Sequence, residues 1–164
     1  MEIVLKICLI FIAFALGLFI AKFIEFKTRG YSISFREALD LTDLPIITFR
    51  QGKEKFNLIL DTGSSGSVII PSALEFLNHS KLENGGTIMG MEGNVQSVEH
   101  VDIEFFNNSN TYTETFSIVD MSDAFNIIKE SHGVTIHGVL GNSFFSKYEF
   151  VINYSDLVAY GKAI

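Results

Sequence analysis

Apolar and polar positions divide the chain into three stretches. Residues 3–24, IVLKICLIFIAFALGLFIAKFI, are apolar apart from Lys6 and Lys22. Residues 27–43 are mostly polar, with a short helical pattern around Phe35 to Leu41. From Leu44 onward, short β-branched and aromatic runs alternate with clusters of Gly, Asn, Ser and Asp, the signature of strands joined by turns. Leu44 to Phe49 and Lys55 to Leu60 flank Arg50–Glu54 and predict a hairpin. Ser72 to Leu77 reads as a helical turn, with Ser72 as cap and Glu75 completing a capping box. Gly85 to Val98 has two extended arms around a glycine-rich tip, Gly90 to Asn94. Val101, Ile103 and Phe105 alternate as a half-buried strand should, Asn107–Asn110 reads as a turn, and Tyr112 to Val119 predicts another strand. Asp120 to Ser131 has helical spacing and stops at Gly133. A helical turn follows over Asn142 to Lys147, and Tyr148–Tyr154 with Leu157–Tyr160 predicts a closing hairpin across Ser155-Asp156.

The first stretch changes the picture most. Its uninterrupted part, Ile7 to Ala21, falls a little short of the ~20 residues that span a bilayer, and flanking lysines can snorkel toward head groups to extend it. We read residues 1–26 as a single-pass membrane anchor, 27–43 as a linker, and 44–164 as the folded domain. A cleaved signal peptide with Ala13-Phe14-Ala15 as its cleavage site fits less well, because the apolar run continues to Ile20 and little basic charge precedes it. Lys22, Lys27, Arg29 and Arg36 follow the helix. That asymmetry favours a cytoplasmic domain, but the rule loses force for a large following domain, so the side stays open.

At 164 residues the chain has room for one domain and an appendage. A net charge of −7 excludes a nucleic-acid partner, which requires a basic face. Cys8, the sole cysteine, lies in the apolar run, so the domain has neither an internal disulfide nor a cysteine-ligated metal. His79, His100, His132 and His137 show no metal-ligand spacing. No metal or cofactor is expected. With 16 Phe and no Trp, the core must be built largely on phenylalanine and aliphatic residues.

One stretch carries chemistry: Phe56 to Ile70, FNLILDTGSSGSVII. An apolar run ends on a lone acid, Asp61. A turn of small residues follows, then a second apolar run that stops at Pro71. An Asp in such a turn can be an ordinary cap. Its position at the end of a core strand makes desolvation expensive unless hydrogen bonds or chemistry compensate. Gly63-Ser64-Ser65-Gly66-Ser67 lacks the spacing of a serine-hydrolase elbow, and no Lys follows the glycines to make a phosphate loop.

Apolar-apolar-Asp-Thr-Gly-Ser-Ser followed by a β-branched run resembles the aspartic proteases. The second signature of that family, an apolar-apolar-Gly segment running into a short helix, is matched by Gly138-Val139-Leu140-Gly141-Asn142-Ser143-Phe144-Phe145. The two lie in family order, about eighty residues apart, and the resemblance covers roughly Leu44 to Tyr160. It implies a mostly β fold, a retropepsin-like barrel lobe with short helices behind the transmembrane helix. It implies that Asp61 is the catalytic acid/base, that Thr62 locks two active loops together, that Gly63 permits their contact, and that Ser64 hydrogen-bonds the outer carboxylate oxygen. Val139 and Leu140 would pack as core, and Gly141 would let its segment pass behind the active loop. The Gly90–Asn94 hairpin stands where the family carries its flap, making Met89, Gly90, Met91, Glu92 and Gly93 candidate substrate contacts.

The chemistry needs two carboxylates sharing one proton, and the chain has one Asp-Thr-Gly. The expected enzyme is therefore a homodimer with one Asp61 per subunit, acting on a polypeptide substrate, and tethering would concentrate protomers in the membrane plane. The alternative is a peptide-binding or scaffolding module that keeps the lobe but cleaves little.

Overall fold

The computed structural model describes residues 10–22, 32–83, 85–89, 95–107 and 110–161. Residues 10–22 form helix α1. Strand β1 (Ile33–Ser34) leads into α2 (Arg36–Thr42), then β2 (Ile46–Gln51), β3 (Glu54–Leu60) and β4 (Ser67–Ile69). A 3-10 turn (Pro71–Glu75) precedes β5 (Ser80–Lys81), β6 (Gly86–Met89), β7 (Val95–Val98), β8 (His100–Asn107) and β9 (Asn110–Ile118). Helix α3 (Ser122–His132), β10 (Gly138–Leu140), α4 (Asn142–Lys147), β11 (Val151–Asn153) and β12 (Val158–Tyr160) complete the described chain.

The fold is mostly β, with short helices. Six strands close into a barrel in the order β2-β3-β10-β4-β9-β8, and Arg50 opposite Phe106 closes the ring. Strand β5 extends the edge of β8. A three-stranded sheet, β1-β12-β11, and the β6–β7 hairpin stand outside the barrel.

Alternation makes the barrel. Phe49, Phe56, Leu58, Leu60, Val101, Ile103, Phe105 and Phe116 are buried, and their sequence neighbours point away. The core is phenylalanine-rich, as the composition implies. Phe49 meets Phe105 edge to face at 4.9 Å, and Phe105 lies 6.0 Å from Phe144 of α4. Each such ring pair adds about 0.5–1.5 kcal/mol beyond area burial. Phe144 thereby fastens α4 to the barrel, which matters for the loop that α4 supports. The β2–β3 hairpin turns at Gly52, whose φ of +59° suits a residue without Cβ.

Three expectations change. Residues 33–43 are not a linker. Strand β1 pairs with β12, and Phe35 is buried in the core against Tyr154. The folded unit therefore begins near Ile33, before the expected Leu44. Ser72 does not cap a helix either: Ile70 holds that position with no side-chain cap, and Pro71 opens the turn, its fixed φ preorganised for a first helical residue. The third concerns the N-terminus. Helix α1 covers 13 residues, about 20 Å at ~1.5 Å per residue. No helix among the described residues is long and apolar enough to cross a membrane. Residues 3–9 and 23–24 of the apolar run lie outside the described residues. The side chains of α1 are open rather than packed, Phe11 at 70 % and Phe19 at 68 % exposure.

Candidate active site

Strands β3 and β4 flank the loop from Asp61 to Gly66, and β10 is inserted between them. It runs parallel to β3, with Leu140 opposite Leu60, and antiparallel to β4, with Val139 opposite Val68. Val139 and Leu140 are buried. The insertion requires close backbone approach. A Cβ on Gly138 would lie 2.2 Å from the Val68 carbonyl oxygen, and one on Gly141 would lie 2.3 Å from that of Gly66. Only glycine leaves room.

The loop is held by backbone. The Asp61 N–H donates to Leu140 O (3.0 Å), and the Asp61 carbonyl accepts from Ser64 N–H (3.3 Å). The Asp61 carboxylate accepts from Gly63 N–H at 2.8 Å. The first turn of α4 then ties down the loop's carbonyls. Asn142 N–H donates to Ser64 O (2.9 Å) and Ser143 N–H to Ser65 O (3.1 Å). The Asn142 side-chain amide donates to Thr62 O at 2.8 Å. A helix start leaves N–H groups without intrahelical acceptors, and here the loop supplies two of those acceptors. No side chain caps α4; the loop backbone takes that role.

The structure thus brings Asp61, Thr62, Gly63 and Ser64 together with Val139, Leu140 and Gly141. Asp61 and Thr62 are exposed, at the mouth of the loop rather than within the core, so the desolvation expected at the end of a core strand is absent in the single chain. The Thr62 hydroxyl has no partner among the described residues. Ser64 departs from expectation. Its hydroxyl donates to Gly66 O at 2.6 Å, within its own loop, rather than to the carboxylate.

The candidate substrate contacts are placed only in part. Strands β6 and β7 pair from Gly86 opposite Val98 to Met89 opposite Val95, so the two extended arms are present. Gly90, Met91, Glu92 and Gly93, and the side chain of Met89, lie outside what the structure describes. Among the described residues no cluster of three His, Cys, Asp or Glu is placed to hold a metal. A cavity of ≈ 180 Å³ lies away from Asp61, lined by residues including Ile70, Ser72, Phe125 and Lys129.

One supporting group was not singled out from the sequence. Glu114 is 3 % exposed, and its Oε1 accepts from the hydroxyls of Ser67 (2.9 Å) and Ser143 (2.6 Å). Ser67 Oγ in turn accepts from Gly141 N–H at 3.2 Å. This cluster joins β4, β9 and α4 behind the loop. The signal was present: Tyr112, Glu114 and Phe116 share one face of β9, so a lone acid falls on the buried side of an alternating strand.

His137 stands at the start of β10. Its Nδ1 accepts from Asn57 N–H at 3.0 Å, which places the remaining proton on Nε2. Burial pushes its pKa down from 6.5.

No protein-family model matches the chain, and no curated protein matches it in sequence. What supports a functional reading is the geometry around Asp61 and the two motifs that carry it.

Proposed function

We propose that this chain is an aspartic endopeptidase with a retropepsin-like lobe, working as a homodimer and tethered to a membrane through residues 3–24. The observation that carries the reading is the Asp61 loop, exposed at its mouth and braced from behind by the Gly141 segment and α4. An exposed carboxylate alone is a poor base. A second Asp61, brought up by a second copy, creates a pair that cannot both ionise, so one carboxyl keeps its proton. A water between them gives one proton to the ionised carboxylate as its oxygen attacks the scissile carbonyl carbon. The protonated carboxyl gives its proton to the carbonyl oxygen. In the second half, the carboxyl that took the water's proton donates a proton to the amide nitrogen, and the C–N bond breaks. The gem-diol returns a proton to the other carboxylate, restoring the single shared proton. The exposed Thr62 hydroxyl supports a role between loops, since its partner would belong to the second copy.

The membrane tether rests on the apolar, exposed side chains of α1 and the apolar sequence on both sides of it. A catalytically silent peptide-binding module is the second reading. It would keep the same loop and bracing and draw no chemistry from Asp61.

The test is cleavage of an unbiased peptide library by the full chain in detergent micelles across pH 4 to 7, wild type beside Asp61→Asn. Cleavage by wild type alone supports the protease. Peptide binding by both proteins with cleavage by neither supports the module.

A further inference from the structure

We infer that Glu114 is a positioning residue for the candidate catalytic acid: its buried carboxylate sets the plane of the Leu140–Gly141 peptide, and that peptide holds the backbone of Asp61. The inference rests on the endopeptidase reading above and goes beyond it by naming the group that keeps two Asp61 carboxylates at working distance.

The Leu140–Gly141 peptide is gripped at both ends. Its carbonyl accepts the Asp61 N–H at 3.0 Å, and its N–H donates to Ser67 Oγ at 3.2 Å. A peptide unit is planar and stiff, so whatever holds its N–H also sets where its carbonyl points. Ser67 can hold that N–H only while its own proton points elsewhere, since a hydroxyl has one proton to give and lone pairs to accept with. Glu114 Oε1 takes the Ser67 proton at 2.9 Å. The chain of contacts from Glu114 through Ser67 and the peptide thus ends on the Asp61 N–H.

The same carboxylate oxygen controls a second branch. It accepts from the Ser143 hydroxyl at 2.6 Å, and Ser143 N–H donates to Ser65 O at 3.1 Å, in the Asp61 loop. The two hydroxyls lie 3.4 Å apart, and either of them can donate to the other. A shared carboxylate acceptor removes that ambiguity and sends both protons the same way. Packing alone does not account for an acid here. Tyr112 and Phe116, on the same face of β9, are buried, and well-packed apolar residues often replace buried charge without loss of stability. What the carboxylate adds is the direction of two hydrogen bonds behind the loop.

That direction matters for the chemistry proposed above. A catalytic constellation must be held within about 0.5 Å of its productive geometry, and a misplacement of about 1 Å costs roughly 10²-fold in rate. Two carboxylates sharing a proton titrate as a pair, one limb lowered and the other raised, and the singly protonated form between the limbs is the active one. If the loops slacken and the carboxylates separate, the limbs approach each other and the active pH window narrows from both sides. Loss of the Glu114 charge alone moves both limbs in the same direction, and Glu114→Gln shares that shift. General loss of stability narrows nothing while the protein stays folded.

The experiment measures kcat, KM and the pH profile of peptide cleavage by the full chain in detergent micelles, well below every melting midpoint. Wild type is compared with Glu114→Ala, Glu114→Gln, Ser67→Ala, the Glu114→Ala/Ser67→Ala pair and Val101→Ala, a core truncation on β8. Amide hydrogen exchange at Asp61 and Gly141 is followed in the same samples. Glu114→Ala should lower kcat by about 10- to 100-fold, leave KM within about threefold, narrow the pH window and speed exchange at both amides. Ser67→Ala should do the same, and the pair should lose no more than either alone, because the two act in series. Glu114→Gln, which keeps an acceptor oxygen, should retain the width of the window. Val101→Ala should lower the melting midpoint with the window unchanged. A folded Glu114→Ala that keeps the wild-type window and exchange rates overturns the positioning role and leaves the protease standing. If wild type cleaves nothing, the protease reading falls, and exchange alone decides: faster exchange at Asp61 and Gly141 in Glu114→Ala upholds the brace, and unchanged exchange overturns it.

Discussion

His137 grips Asn57 twice: its backbone N–H donates to the Asn57 carbonyl at 2.9 Å, and its ring Nδ1 accepts the Asn57 N–H at 3.0 Å. The pair begins the β3–β10 alignment, which continues through Gly138 opposite Leu58 to Leu140 opposite Leu60 and ends at Asp61. A side chain thus supplies one of the ladder bonds that position the candidate catalytic strand.

The grip makes the fold sensitive to acid. Burial pushes the His137 pKa below 6.5, and the charge on Lys129 adds to the shift; the Asn57 N–H held by Nδ1 likewise favours the neutral ring. Below 6.5 the unfolded chain binds the proton first, so the stability from neutral His137 is complete above 6.5. It is lost as pH falls from 6.5 through the lowered folded value. Asp120, held down by its hydrogen bonds to Ser122, acts in the same direction but only below 3.8. Urea titrations from pH 8 to 4.5 should show stability falling from about pH 6.5. His137→Asn, which keeps an acceptor and does not titrate, should flatten that slope. An equal slope in the variant would assign the acid sensitivity elsewhere.

Gly141→Ala should be among the most damaging single substitutions. The added Cβ would meet two backbone atoms of Gly66, at 2.3 and 2.6 Å, and backbone in a strand-flanked loop cannot move aside cheaply. Overpacking of this kind costs roughly 1–3 kcal/mol, occasionally more. Because the atoms displaced belong to the Asp61 loop, cleavage should fall further than stability alone explains. Gly52→Ala is the contrast: nothing lies within 4 Å of its Cβ, and its cost comes only from φ of +59°. Paired thermal melts and cleavage rates separate the two cases.

The strands around the site were legible in the sequence, and the long-range polar contacts were not. Phe49, Phe56, Leu58 and Leu60 announce β2 and β3 by alternation, and the glycines at 138 and 141 mark a close approach because nothing larger fits. Strand β1 has two residues, too few to carry a period, so its pairing with β12 could not be read. Nor could the acceptors of Ser64 and Ser67: a hydroxyl takes whichever oxygen the fold brings within reach, two residues away for Ser64 and 47 for Ser67.

Glu114 makes the second polar contact testable. Removing its carboxylate leaves the hydroxyls of Ser67 and Ser143 without the acceptor they share. Leaving buried donors unsatisfied costs about 1–3 kcal/mol, so Glu114→Ala should lower stability by that amount, read as a shift in denaturant midpoint. Glu114→Gln keeps an acceptor oxygen in the same place and should lose much less. Equal losses would mean that side-chain volume, rather than the hydrogen bonds, is what Glu114 contributes.

The shared-dyad reading makes a quantitative claim that mixing can check. Asp61 is exposed, and its carboxylate accepts one hydrogen bond, from Gly63 N–H, so Asp61→Asn should fold and pair as wild type does. In an equal mixture at fixed total protein, random pairing leaves roughly one quarter of the dimers with two carboxylates. A pair with one Asp and one Asn lacks the second carboxylate that proton sharing needs. Activity should therefore fall to about one quarter of that of pure wild type. If each chain carried a complete site, the same mixture would retain about half. Dilution gives an independent check, because specific activity should fall once protomers separate. A mixture at one half together with activity unaffected by dilution would place the whole chemistry in a single chain and remove the dimer from the mechanism.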